Sequence, residues 1–228
     1  MNMGGRTIIT TIFKGITIVI FVFFLLYPVD AISQGTGIKR NLDERVMSFL
    51  ENRRGTWVDL NIPMSDGKIL YDLIIKNGYK KALEIGTSTG LSAIYIAWAL
   101  SKTGGKLITI EIDRGRYREA LANFKKAGLE DYIDARLADA HDLVKTLKGP
   151  FDFVFCDADK DWYTNYFIDI NPKLVTGGCY TAHNVSKRGW GGGEGTEKFY
   201  TYIKNLRYME TIVNESGGGI SISYKNIK

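Results

Sequence analysis

The residues best suited to chemistry begin at Leu83-Glu84-Ile85-Gly86-Thr87-Ser88-Thr89-Gly90, and Glu111 follows at the end of the next apolar run. An apolar strand, Ala82 to Ile85, enters a turn carrying Gly86 and Gly90, and an amphipathic helix opens near Leu91. Backbone in such a turn approaches a ligand with no Cβ in the way. The next strand, Lys106 to Ile112, presents Glu111, whose two oxygens can accept from both ribose hydroxyls, as the acid at the tip of the second strand does in doubly wound folds. The pattern is that of a nucleoside pocket. A dinucleotide fingerprint from Gly86 would need glycine where Ser88 and Leu91 stand, and a phosphate loop would need a Gly-Lys-Ser/Thr that the chain lacks. The bland alternative is a plain strand-to-helix turn and a solvated strand-end acid.

Two further stretches, Phe153-Val154-Phe155-Cys156-Asp157-Ala158-Asp159-Lys160-Asp161-Trp162-Tyr163 and Ala182-His183-Asn184-Val185, put acids, a lysine and a histidine at strand ends, where open α/β sheets bind ligands. With the turn, these residues resemble the cation-dependent O-methyltransferases that use S-adenosylmethionine (SAM), the group of the catechol and caffeoyl-coenzyme A enzymes. The similarity runs from about Asp59 to the C-terminus, and the Asp157 to Asp161 run followed by Tyr163 is far more specific than the glycine turn. The resemblance implies a Rossmann-like sheet, bound SAM, a divalent metal and a small hydroxylated aromatic acceptor. Family relatives are often homodimers, and a helix beginning at Asn41 is available for such an interface.

Carried over along the motif, Glu84, Gly86 and Ser92 surround the methionine and ribose, Glu111 takes the ribose hydroxyls, Ala140 lies near the adenine and Asp139 accepts from its amino group. Asp157 becomes the first metal ligand and a cofactor neighbour, Asp159 a cofactor contact and Lys160 the base, with His183 and Asn184 completing the metal set. Leu60-Asn61-Ile62 corresponds to a segment covering the cofactor. Methyl transfer needs an oxygen nucleophile in line with the carbon–sulfur bond and stripped of its proton, so positioning and a base supply the rate. The bland reading of Asp157 and Lys160 is an ion pair capping the following helix.

The chain departs from the family at His183, where the pattern has aspartate before asparagine. An imidazole in place of a carboxylate removes negative charge and disfavours magnesium, which prefers oxygen ligands; manganese, iron or zinc tolerate nitrogen better. Either such a metal is used, or the metal is lost and His183 acts as a base, or activity has decayed around a surviving cofactor pocket. A strand-end histidine satisfied by backbone is the structural alternative. His141 reads as a helix-face residue. The aromatic lid residues of the family are replaced by Ser186-Lys187-Arg188-Gly189-Trp190, within a glycine-rich loop extending to Gly195.

The elements that must hold these residues alternate. Helices are expected from Asn41 through Leu42, Val46, Phe49 and Leu50, and from Ser65 to Ile75 with a stop at Asn77-Gly78. Then come strand Ala82 to Ile85, helix Leu91 to Leu100, strand Lys106 to Ile112, helix Arg114 to Ala127 and strand Asp134 to Leu137. A short helix near His141 to Leu147, strand Phe151 to Cys156, helix Trp162 to Ile170 and strand Gly178 to Ala182 continue the βα units, which build a parallel sheet covered on both faces. Glu197 to Leu206 reads as a last helix. Thr211 to Asn214 and Ile220 to Tyr224 flank Glu215-Ser216-Gly217-Gly218-Gly219 as an antiparallel pair. The fold class is therefore α/β, doubly wound, mostly parallel, with an antiparallel C-terminal strand.

With 228 residues, 45% of them hydrophobic, the chain can bury one good core and is short for two domains. A net charge of +5, scattered without a basic stripe, gives nucleic-acid binding no support. Cys156 and Cys179 fall in expected core strands, as small apolar side chains and not as a disulfide. Arg6 and Lys14 precede an uncharged apolar run from Gly15 to Tyr27, and Val29-Asp30-Ala31 offers small residues for cleavage. Residues 1–33 are thus expected to be a signal peptide or membrane anchor, 34–40 a linker and 41–228 the catalytic domain. Export is in tension with a cofactor made and used mainly inside cells.

Overall fold

The computed structural model describes residues 42–57, 59–186 and 192–226. The expected leader, the linker, the Asn41 cap and Lys187 to Trp190 lie outside them. Helix α1 (residues 42–52) is followed by α2 (Met64–Asn77), β1 (Lys81–Ile85), α3 (Leu91–Thr103), β2 (Lys106–Glu111), α4 (Arg114–Ala127) and β3 (Ile133–Leu137). Then come α5 (Ala140–Thr146), β4 (Phe151–Cys156), α6 (Tyr163–Ile170), β5 (Leu174–His183), α7 (Glu194–Lys204), β6 (Met209–Asn214) and β7 (Ile220–Lys225).

The strands form one 7-stranded sheet in the order β3-β2-β1-β4-β5-β7-β6. β1 to β5 pair in parallel, whereas β7 runs antiparallel between β5 and β6. The direction of winding reverses between β1 and β4, which opens a crevice at the carboxyl ends of those strands. This is the expected fold class.

The period-2 alternation of the strands sorts their side chains between two cores. Ala82, Leu107, Phe153, Phe155, Cys179, Ile220 and Ile222 face the helices α1 to α4. Leu83, Ile85, Ile110, Val154, Cys156, Tyr180 and Ala182 face α5, α6 and α7. Both cysteines are free and buried, as expected, and burial pushes their thiols up, Cys156 to about 12. Helix α1 packs on its own domain through the buried Val46 and Leu50. Arg45 reinforces the contact, its Nε donating to the Lys126 carbonyl at 2.9 Å where α4 leaves carbonyls unpaired.

Several bounds differ from expectation for local reasons. α2 starts at Met64 after Pro63, whose φ of −58° suits a helix entry, and it ends as expected at the left-handed Gly78 (φ 67°). α7 starts at Glu194, inside the stretch read as loop, because Gly193 caps it and Thr196 Oγ1 donates to the Gly193 carbonyl at 2.9 Å. β5 begins at Leu174, but the residues after it up to Gly177 are exposed and Gly177-Gly178 follow, a faint strand signal. Phe155 lies fully buried at the centre of the sheet on the α1 to α4 side. Phe155→Ala is expected to cost about 3–5 kcal/mol in a denaturant unfolding titration, in the range of large aromatic truncations in a core.

Candidate active site

The described residues bound a cavity of about 510 Å³ at the β1/β4 crevice. Leu60, Asn61, Gly86, Ser88, Glu111, Asp139, Ala140, His141, Asp157, Asp159, Lys160, Tyr166, His183 and Asn184 all line it. A second cavity, of about 460 Å³, opens at the other end of the sheet beside Lys81, Lys106 and Phe151, the first residues of their strands. Ligands of open α/β sheets bind beyond the carboxyl ends, so the crevice is the candidate site.

Its floor is the β1 turn. Gly86 has φ 96°, and a Cβ there would stand 2.3 Å from the Asp157 carbonyl oxygen, so only glycine lets the turn close against the end of β4. Leu60, Ser88 and Asn184, the non-glycine residues with positive φ among those described, all line this cavity. Backbone held in that region costs free energy, and such residues cluster at functional sites. The segment over the turn is fastened at several points. Ser88 Oγ donates to the Asp59 carbonyl at 2.5 Å, Asn61 Nδ2 to Thr89 Oγ1 at 2.8 Å, and Arg116 Nε to Asp59 Oδ2 at 3.0 Å.

Glu111 is 6% exposed and pinned by backbone, with Oε2 accepting from the Ser88 amide at 2.7 Å and Oε1 from the Asp113 amide at 2.9 Å. Each oxygen keeps a lone pair for the cavity. Asp139 caps α5, accepting from the His141 amide at 2.8 Å, and Asp159 caps the short turn before α6, accepting from the Asp161 amide at 3.1 Å. Ala140 lines the same cavity.

His141 was the residue that its sequence context concealed. Its ring stacks on Tyr166 with centroids 5.6 Å apart and planes at 13°. Nδ1 lies 3.2 Å from Asp139, and Nε2 lies 3.3 Å from Asp159 but off line, so that this buried nitrogen has no hydrogen-bond partner among the described residues. The signal available was its place directly after Asp139-Ala140, in the first turn of a helix that opens on the crevice.

Glu84 and Ser92 do not reach the cavity. Alternation turns Glu84 from Ile85 towards α3, where it is fully buried, interacts with Ser92 and accepts from Thr109 Oγ1 at 2.5 Å. Burial is the main cause that lifts its carboxyl to about 8, against the lowering effect of the Ser92 and Thr109 hydrogen bonds. Glu84 supports the turn from below.

At the end of β4, Lys160 Nζ forms an ion pair with Asp157 Oδ1 and donates to the Tyr163 hydroxyl at 2.9 Å. Asp157 Oδ2 lies 3.3 Å from His183 Nδ1. Burial raises the Asp157 carboxyl, but His183 and Lys160 outweigh it and the net shift is downward. His183 ends β5 on the face covered by α2, and its Nε2 meets Asp66 Oδ2 at 2.9 Å. Burial pulls the ring's pKa down, yet the hydrogen bonds and charges of Asp157 and Asp66 outweigh it and lift the ring to about 9. Asn184 follows at φ 56°.

Asp157, His183 and Asn184 line the same cavity, and His183 also meets Asp66, which no motif marked. Their chemistry fits a divalent ion poorly. Both ring nitrogens of His183 are turned to carboxylates, Nδ1 to Asp157 and Nε2 to Asp66, so neither is left open for a metal, and the other oxygen of Asp157 is covered by Lys160. Among the described residues no group of acids, histidines and cysteines forms a metal cage.

The chain matches the O-methyltransferase family over residues 41–204. It belongs to that family. A caffeoyl-CoA O-methyltransferase of Populus kitakamiensis is 31% identical over 166 residues, 71% of this chain and 69% of that protein. A catechol O-methyltransferase of Niastella koreensis is 39% identical over 112 residues, 47% of this chain and 50% of the relative, so the chain spans about half the length of that enzyme. Among solved structures, the O-methyltransferase TomG from Streptomyces achromogenes in complex with SAM superposes with a TM-score of 0.67 at 25% identity, covering 81% of this chain and 90% of that one. The O-methyltransferase from Bacillus cereus in complex with SAH gives 0.69 at 24% identity over 80% and 91%, a likeness of fold.

Glu84 generates a pH prediction for this O-methyltransferase family member. Its carboxyl holds a proton in the folded state up to about 8 but loses it near 4.5 when unfolded. The folded state thus binds more protons between those values, so stability falls as pH rises through that window. Glu84→Gln is expected to flatten this slope, read as the pH dependence of the urea midpoint between pH 5 and about 8.

Proposed function

We propose that this chain transfers the methyl group of SAM to a hydroxyl of a small, catechol-like aromatic acceptor. The observation that carries the reading is the pairing, across one crevice, of a carboxylate pinned by two amides, Glu111, with a lysine held by Asp157 and Tyr163. A nucleoside seated on Glu111, with its adenine towards Ala140, Asp139 and His141, directs its sulfonium end to Lys160. Loop Leu60-Asn61 covers it.

The acceptor oxygen attacks the methyl carbon while the carbon–sulfur bond breaks, and that electron pair stays on sulfur, leaving a neutral thioether. The acceptor's proton passes to the Lys160 amine. Burial keeps the Tyr163 phenol well above its ordinary value, so it remains a donor, bonded to the His183 carbonyl at 3.3 Å, and fixes the lysine's direction. No covalent intermediate is needed, and holding the reactants in line supplies much of the rate. The reading draws support from the family match and from the SAM bound by TomG.

Incubation with labelled SAM and a panel of catechols is expected to give methylated product. Lys160→Met is expected to lower kcat about 10²-fold or more with SAM affinity retained, the scale of a lost general base, whereas Glu111→Ala is expected to weaken SAM binding by calorimetry. Binding without turnover across the panel would instead favour a non-catalytic binding protein that keeps the fold. We further propose that residues 1–33 export or anchor the domain. A reporter active only outside the cytoplasm, fused after residue 40, is expected to be active, and its inactivity would refute export.

A further inference from the structure

We propose that His183, gripped between Asp66 and Asp157, is a built-in cation that takes the place of a divalent ion in this crevice, and that Asp66 is the residue that positions it. The inference rests on the methyltransferase reading above and concerns how that same site is charged.

Asp66 is 0% exposed. Its Oδ2 accepts from the Gly218 amide at 2.8 Å and faces His183 Nε2 at 2.9 Å, while Ser65 Oγ lies 3.3 Å from Oδ1. Among the described residues no lysine or arginine forms an ion pair with it, so His183 is the group that can neutralise it. A fully buried carboxylate without a paired charge is costly enough to demand one. The same ring turns Nδ1 to Asp157 Oδ2 at 3.3 Å, while Lys160 takes Oδ1. Asp66 and Asp157 are thus met by the His183 ring and the Lys160 amine.

The turn between β6 and β7 is shaped around this pair. Gly217 has φ 66°, and a Cβ there would stand 1.9 Å from Asp66 Oδ1. A Cβ on Gly218 would stand 2.5 Å from His183 Nε2. Those glycines let the hairpin close on the pair, at positions where any side chain would collide. Phe155 meets the ring edge-on from the sheet, with centroids 6.3 Å apart. The ring is thus fixed by its surroundings, and it lines the cavity beside Lys160. A preorganised positive charge there stabilises, without coordination, the negative charge that the acceptor oxygen gains as it loses its proton.

The test uses the full-length chain, treated with chelator, re-equilibrated with manganese, magnesium or zinc, and desalted. Elemental analysis is expected to find wild type essentially metal-free, and turnover is expected to change less than about twofold with chelator. His183→Asp, which restores the oxygen ligand, is expected to gain manganese binding by calorimetry. Asp66→Asn is expected to lower kcat about tenfold or more while SAH affinity holds within about threefold. Nitrogen-15 spectra of the histidine rings give a readout that needs no variant to fold and no substrate to be known. With only 2 histidines in the chain the signals are readily separated, and both ring nitrogens of His183 are expected to be protonated. Stoichiometric metal on the wild type, or an unprotonated His183 nitrogen, would overturn the inference. Absence of turnover with a protonated ring and no metal would count against the methyltransferase reading alone.

Discussion

The partly buried carboxylate of Asp157 is the constraint on which the rest of the site depends. It stands where the winding of the sheet reverses, with Gly86 pressed against its carbonyl, Lys160 on one oxygen and His183 facing the other. A charge so placed must be met by cations fixed in position, because burial alone would push its proton affinity up. That requirement ties β4, the following turn and β5 into one electrostatic unit. It also links the cofactor end of the crevice, through Gly86, to the end where Lys160 lies.

Alternation along the strands decides which residues belong to that unit. Phe155 and Cys179 face the α1 to α4 core while Cys156 and Ala182 face the other, and two residues beyond Phe155 and Thr181 come Asp157 and His183. His183 is thereby delivered towards α2, whose first turn carries Asp66. Glu84 is drawn away from the crevice by the same rule, since its neighbour Ile85 faces α5 and α6. It becomes a buried, proton-holding support under the turn.

The family pattern and this chain's own residues therefore divide the site. Gly86, Glu111 and Ala140 line one part of the crevice. At the other half, imidazole for carboxylate at position 183 comes with a buried partner in α2 and with glycines in the β6–β7 turn that make room for both. A longer side chain with two ring nitrogens reaches a second carboxylate that an aspartate at that position would repel. The substitution is thus embedded in its surroundings as a set, and Asp66 is the member that explains why the ring points as it does.

The order of helices and strands, the parallel sheet and its antiparallel end were legible in the sequence because hydrophobic periodicity and glycine punctuation are local. Glu111, Asp157, Lys160 and His183 were legible too, since each sits at a strand end within a contiguous motif. Only the tertiary structure showed that Asp66, 117 positions from His183, faces its ring, that His141 leaves a nitrogen unpartnered in the crevice, and that Glu84 and Ser92 turn inward. The physical reason is that spacing along the chain specifies which residues an element presents. Which face meets which neighbour, and so which charges must pair, is set by how those elements pack.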